Sequence, residues 1–154
     1  MPLKVVEGDL FQQPVEAIVN PWNRNFIPWW LLLPQGVSGQ LKKKAGRAPF
    51  RELSKYGMLQ TGEAVHTSAG RLDYRYIIHV VALEWYWRAT DRSIRMSTEH
   101  AVELAEKLEL ESIAFPLIGS GTGGKKQSRS VELITQACRE TRSDLSVTVV
   151  RYRK

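Results

Sequence analysis

The apolar run from Ile113 to Ile118 empties directly into Gly119-Ser120-Gly121-Thr122-Gly123-Gly124, with Lys125 and Lys126 behind it. The run is too short for a helix and holds Pro116 near its end, so it is predicted to be a buried strand that stops there. A buried strand feeding a glycine-rich loop belongs to open α/β sheets, which offer backbone amides to ligands beyond the carboxyl ends of their strands. The glycines supply unhindered N–H groups, Ser120 and Thr122 add hydroxyls, and the lysines add positive charge. That is the chemistry of a phosphate cradle. A flexible surface turn would have the same composition, and the rest of the chain has to separate the two.

Composition narrows the class. A chain of 154 residues suits one core, so residues 1–154 are expected to form a single domain. A content of 43% hydrophobic and 25% charged residues argues against a disordered chain. The lone Cys138 excludes an internal disulfide framework and reads as a small buried hydrophobe on a late helix. No charged-then-apolar leader opens the sequence and no apolar run is long enough for a membrane span, which makes a cytoplasmic protein the default expectation. The net charge of +6 favours an anionic partner, and phosphate-bearing ligands both large and small fit it. His66, His79 and His100 show no metal-ligand spacing with one another or with Cys138; neither a metal nor a cofactor is expected.

Taken in order, Leu3 to Glu7 reads as a first strand, and Gly8-Asp9-Leu10 turns the chain with a carboxylate at the strand's end. Asp9 is a candidate ligand contact there, or a turn cap. Ala17-Ile18-Val19 is a second strand running into Asn20-Pro21-Trp22-Asn23, where the proline is expected to stop it and the asparagines could hydrogen-bond sugar hydroxyls. The apolar piece from Phe26 to Pro34, with Trp29 and Trp30 adjacent, shows neither helical nor strand periodicity. It reads as a lid, a partner surface, a membrane-interface anchor or a core-filling loop. A glycine-bearing turn from Gln35 to Gly39 precedes a helix from Gln40 to Ala45, and a second helix is predicted from Pro49 to Tyr56.

Strands follow at Ala64 to Ser68 and Arg75 to Val81; His79, flanked by apolar residues, is expected to have its ring nitrogens satisfied by backbone. After an aromatic loop at Trp85-Tyr86-Trp87-Arg88, the longest helix spans Asp91 to Glu109 with Asp91 as its N-cap. The strand from Ser112 to Pro116, a last helix from Ser128 to Arg142 and a last strand from Ser146 to Tyr152 complete the chain. Helix-bearing crossovers between apolar strands imply an α/β fold, a mixed sheet with helices on both faces.

Several segments in this order resemble the macro domain, the module that binds ADP-ribose. Val6-Glu7-Gly8-Asp9-Leu10 is similar to the family's first-strand G-D-I, and Glu16-Ala17-Ile18-Val19-Asn20-Pro21-Trp22-Asn23 to its D-A-I-V-N-A-A-N. Gly36-Val37-Ser38-Gly39 with Lys44-Ala45-Gly46 resembles the end of its glycine-rich first loop and the helix after it. Thr61-Gly62-Glu63-Ala64, Tyr76-Ile77-Ile78-His79-Val80-Val81 and Ser112-Ile113-Ala114-Phe115-Pro116 with Gly119 to Gly123 resemble further family segments.

The resemblance implies a three-layer α/β/α macro-domain-like fold with a mixed central sheet and an ADP-ribose cleft at the carboxyl ends of its strands. In that cleft Asp9, with Leu10 beside it, would accept from the adenine amino group. Asn20 would bond the distal ribose and organise water for any hydrolysis, with Asn23 nearby. The backbone of Gly36, Val37, Ser38 and Gly39 would hold one side of the diphosphate, and Gly119, Ser120, Gly121, Thr122 and Gly123 the other; Tyr152 would lie against adenine.

One departure bears on mechanism. The family's hydrolytic branch reads G-G-G-G-V-D-G in the first loop, and here Ser38 stands where its aspartate would. A serine without a neighbouring histidine is a poor general base. The expected function is therefore binding of ADP-ribose, a related nucleotide diphosphate or an ADP-ribosylated molecule, with hydrolysis of ADP-ribosyl or O-acetyl-ADP-ribose esters resting on the ligand's own phosphate and Asn20. A basic nucleic-acid module, and an interaction protein docking through Trp29 to Leu33, stand as alternatives; the oligomeric state is open.

Overall fold

The computed structural model of the chain describes residues 2–23, 36–57, 59–83, 89–120, 126–141 and 143–152. Six strands form one sheet: β1 (Leu3–Gly8), β2 (Ala17–Asn23), β3 (Ala64–Thr67), β4 (Tyr76–Leu83), β5 (Ser112–Phe115) and β6 (Ser146–Tyr152), in the spatial order β1-β6-β5-β2-β4-β3. Every pairing is parallel except β3 with β4. The sheet is mixed, with helices α1 (Gly36–Ala45) and α2 (Ala48–Ser54) on one face and α3 (Asp91–Lys107) and α4 (Gln127–Glu140) on the other.

The alternation of each strand sorts its side chains between two cores. Ala17, Val19, Ile78, Val80, Ile113, Phe115, Val147 and Val149 pack under α3 and α4, against Ile94, Val102, Ile134 and Cys138. Ile18, Ile77, Val81, Ala114 and Val150 face the other way, onto Leu41, Phe50 and Leu53 of α1 and α2. Burying one such aliphatic side chain contributes roughly 1.5–3 kcal/mol, which is why these central strands read as continuous apolar runs. Cys138 lies in the first core, and burial pushes its thiol up to about 12, so it acts there as a small hydrophobe.

Several element ends shift by one or two residues from expectation, and three differences have a clear physical cause. β2 does not stop at Pro21 but continues to Asn23. Its ladder with β5 covers only Ala17 and Ile18, while its ladder with β4 continues, and a proline is tolerated beside an unpaired edge. The first helix begins at Gly36 rather than Gln40. The N-cap of α3 is Thr90, not Asp91: Thr90 Oγ1 accepts from the Ser93 N–H at 3.0 Å and Ser93 Oγ accepts from the Thr90 N–H at 2.9 Å, a reciprocal capping box. Asp91 instead takes a first-turn position and pairs with Arg129 of α4 at 2.6 Å.

At the amino ends of the strands Glu16 joins three elements. Its carboxylate accepts from the Glu111 N–H and, at 2.9 Å, from Arg75, while its own N–H donates to Ser112 Oγ at 3.0 Å. The bond from the Glu111 N–H, and then that from Arg75, hold the Glu16 carboxyl below its ordinary range. The piece from Phe26 to Pro34 and the aromatic stretch from Trp85 to Arg88 lie outside the described residues.

Candidate functional site

Because β1, β6, β5, β2 and β4 run parallel, their carboxyl ends share one rim. The chain leaves β2 toward α1 on one face and returns to β5 from α3 on the other. The strand order therefore reverses between β2 and β5, where open α/β sheets form their ligand crevice. Most of the residues singled out in the sequence meet at this rim. Gly8, at the end of β1, stands opposite Tyr152 at the end of β6, which brings Asp9 and Tyr152 to neighbouring strand ends. β5 delivers Gly119 and Ser120, and β2 delivers Asn20 and Asn23. Gly121, Thr122 and Gly123 lie outside the described residues.

Asp9 has a local task as well. Its Oδ1 accepts from the Phe11 N–H at 2.9 Å and so caps the single 3-10 turn Leu10–Gln12. A carboxylate has two acceptor oxygens, so the cap and a ligand contact are compatible. The Leu10 side chain is buried in the core beneath α1, which leaves its backbone as the part that lines the rim.

Gly36, Val37, Ser38 and Gly39 form the first turn of α1 rather than a separate turn before it. Amides near the amino end of a helix sit toward the positive end of its dipole, which suits an anion. On the opposite side Ser120 is folded back on its own loop, its N–H and hydroxyl both donating to the Leu117 carbonyl at 3.1 and 2.9 Å. Gly119 takes φ +83°, and a Cβ there would come within 2.8 Å of Ala89 Cβ and Ile94 Cδ1. Glycine is required at this position by both conformation and space. The Ser130 hydroxyl of α4 donates to the Ile118 carbonyl at 2.9 Å and fixes the loop from below.

Asn20 is fully buried, on the α1–α2 face, and its register partner in β4 is His79. Asn20 Nδ2 lies 3.0 Å from His79 Nδ1, and His79 Nε2 lies 2.8 Å from Thr67 Oγ1 on β3. The histidine is thus satisfied by two side chains, not by backbone as the sequence suggested. The Thr67 hydroxyl also lies 2.9 Å from the Ser68 carbonyl, so its one hydrogen is shared between that oxygen and the ring, and the tautomer of His79 sets which nitrogen donates. Burial, with the nearby charge of His66, pushes the His79 imidazolium down to about 3, so the ring is neutral at ordinary pH. Thr67 and His79 were not singled out as site residues. The available signal was a polar residue inside Ile77-Ile78-His79-Val80-Val81, with the same parity as Ile77 and Val81.

A second concavity, of about 880 Å³, opens beside α1 and α2, where Lys42, Lys43, Arg47 and Arg71 line it together with Gly39 and Gly70. Arg71 is anchored there by donating to the Lys43 carbonyl at 2.9 Å. Among the described residues no group of His, Cys, Asp and Glu is placed to hold a metal ion, and no helix is long and apolar enough to cross a membrane.

The family model for the macro domain matches residues 19–134, from the middle of β2 into α4. The chain belongs to the macro domain family. A macro domain-containing protein of Listeria monocytogenes is 35% identical, over 99% of this chain and 89% of its own length. An uncharacterized Thermotoga maritima protein is 32% identical over 90% of this chain, which spans only 23% of that relative. Among solved structures, a mutant of the Oceanobacillus iheyensis macrodomain with ADP-ribose superposes with a TM-score of 0.81 at 25% identity, covering 96% of this chain and 83% of that one. The three-layer macro domain fold and the rim at its strand ends are therefore shared with a relative that was solved with that ligand.

Proposed function

We propose that this macro domain binds ADP-ribose, free or attached to another molecule, in the crevice between β2 and β5. The observation that carries the proposal is the meeting at one rim of a buried, oriented asparagine, the first turn of α1 and a glycine-bearing loop, on a fold matched by a macrodomain solved with ADP-ribose. The diphosphate would lie between the amides of Gly36 to Gly39 and the loop from Gly119 to Gly123. Asp9, with the Leu10 backbone and Tyr152, would hold adenine, and Asn20 with Asn23 the distal ribose. Isothermal titration with ADP-ribose tests this directly: saturable heat at submillimolar ligand is expected, and its absence would sink the proposal.

Hydrolysis of an ADP-ribosyl or O-acetyl-ADP-ribose ester would have to run without a histidine base from this network. His79 is neutral but buried, and both its ring nitrogens are engaged. Turnover would rest on water organised by Asn20 and the ligand's own phosphate. Incubation with mono-ADP-ribosylated protein and with O-acetyl-ADP-ribose checks it; unchanged substrate leaves a binder alone.

The second reading, a nucleic-acid-binding module, is favoured by one feature, the concavity with four cationic side chains and no carboxylate among its described lining residues. Crowded cations favour a polyanion, and affinity that comes from phosphates falls steeply with salt. Salt-sensitive binding of single-stranded RNA that free ADP-ribose does not compete away would support this reading. Competition would place the RNA in the crevice instead.

A further inference from the structure

We infer that the concavity beside α1 and α2 is a second ligand site of this domain, which takes a short chain of linked phosphates and fills independently of the crevice between β2 and β5. This site does not depend on the ADP-ribose reading. Unlike the nucleic-acid reading, it calls for phosphates alone, with no part played by bases or sugars.

The positive charge of the chain is concentrated where the concavity lies. Residues 36–57, which carry α1 and α2, hold six lysines and arginines against one carboxylate, Glu52. That carboxylate is turned to Ser68, accepting from its N–H at 3.0 Å and bonding its hydroxyl. The helices of the other face are balanced: α3 has three cations and four carboxylates, and α4 has two of each. Mixed signs make a solvated surface, whereas one sign gathered around a recess focuses its field on whatever enters. Lys43 and Arg47 are exposed, and among the described residues neither side chain makes an ion pair or a hydrogen bond.

The recess has a defined construction. Gly39, Lys42, Lys43 and Gly46 follow one another at helical spacing along one face of α1 and its end, so the two glycines leave the floor between the cations open. Across it, the segment Gly70-Arg71 docks onto the end of α1. The Arg71 N–H donates to the Ala45 carbonyl at 3.0 Å, and its guanidinium donates to the Lys43 carbonyl at 2.9 Å. The carboxyl end of a helix is its negative pole and would repel an anion. Here two of those carbonyls are taken by donors from outside the helix, and the donor residue brings a guanidinium with it. Gly70 permits the approach: it takes φ +58°, and a Cβ there would collide with the Ala45 carbonyl oxygen.

These groups select linked phosphates. Arg47 and Arg71 offer planar forks that match two phosphate oxygens at once, and Lys43 adds a point charge. A concavity of about 880 Å³ is far larger than a single phosphate needs. No aromatic side chain stands among its described lining residues, so it offers no platform on which a base would stack. Lys43 lies about 6 Å along the axis of α1 beyond Gly39, on the side away from the crevice. Both sites are therefore able to hold a guest at once.

Titration calorimetry with sodium tripolyphosphate, in the presence of excess ADP-ribose, tests the site. Saturable binding is expected, weakening as salt rises from about 50 to 200 mM. Lys43→Gln combined with Arg47→Gln should lower tripolyphosphate affinity about tenfold, as the loss of two exposed ion pairs implies. Tm and ADP-ribose affinity should stay as in the wild type, because both side chains are exposed and stand away from the crevice. Arg92→Gln combined with Lys107→Gln removes the same charge from α3 and should leave tripolyphosphate affinity unchanged. Equal loss in the two double variants would reduce the binding to net charge and overturn the inference. Displacement of tripolyphosphate by ADP-ribose, or no heat from the wild type, would overturn it as well. A short oligothymidylate separates the sources: binding beside tripolyphosphate, with the same sensitivity to the Lys43 and Arg47 changes, extends the site to phosphates within a larger molecule. Oligothymidylate bound where tripolyphosphate is not would return the concavity to the nucleic-acid reading and overturn this one. Tripolyphosphate bound by a protein that takes no ADP-ribose would sink the ADP-ribose reading and leave this site standing.

Discussion

The two faces of the sheet bury polar groups in different ways. Under α3 and α4 the buried hydroxyls end on backbone carbonyls: Ser93 on Ala82, Thr98 on Ile94 and Ser130 on Ile118, each within 2.9 Å. Each such bond ties a helix to a strand, to a loop or to its own preceding turn, and goes no further. Under α1 and α2, Asn20, His79 and Thr67 bond side chain to side chain across three strands. Side-chain pairs of this kind are the minority in folded proteins, and a buried chain of them specifies one arrangement because every member constrains the next. Both faces hold a hydrophobic core, and only the second links three strands through buried side chains.

The sharpest test of that division removes hydrocarbon from the first face. Ile134→Ala should cost about 2–5 kcal/mol by urea unfolding, while ADP-ribose affinity, measured where the variant is folded, stays near the wild-type value. A large loss of affinity would show that the faces are not independent.

Acid should act on the second face. The unfolded chain protonates this histidine near its ordinary value of 6.5 and the folded chain only at about 3, so the unfolded state binds the extra proton between them. Stability from keeping His79 neutral is therefore complete above about 6.5 and is lost as pH falls toward 3, by on the order of a few kcal/mol. Unfolding midpoints in the wild type should drop through this window, and the slope should flatten in His79→Asn. Equal slopes in both proteins would remove His79 as the cause.

Asn20→Ala should weaken ADP-ribose binding by roughly tenfold to a hundredfold in titration calorimetry, since it deletes the proposed ribose contact and strips the ring of a partner. ADP should be affected far less. The smallest effect is expected for Ser93→Ala, which breaks the capping box and one anchor of α3 and should cost about 1 kcal/mol by thermal unfolding with ligand affinity unchanged.

Much of the fold was legible because it rests on local pattern. The order of strands and helices follows from apolar runs and turn residues, and the last strand was placed at its observed bounds, Ser146 to Tyr152. The errors come from context that a linear reading lacks. Pro21 reads as a stop, yet β2 passes through it because one side of the strand has lost its ladder there. Two glycines make Gly36 to Gly39 look like a turn by propensity, and packing of α1 overrides it. Toward the carboxyl rim, Asp9 was legible as a polar residue just past the end of β1, whereas Asn20 read as the end of β2 and lies inside it. The partners of His79 were not legible, because Asn20 lies 59 residues away in the chain and Thr67 12, and only the strand order makes them neighbours.

The Glu16 junction gives the crevice its mechanics. β2 and β5 are laddered over just two residues, so little backbone bonding resists their separation. At their amino ends the Glu16 carboxylate and the Ser112 hydroxyl clasp the two strands together. The gap between them is a notch closed at its base by these bonds and open toward the carboxyl rim.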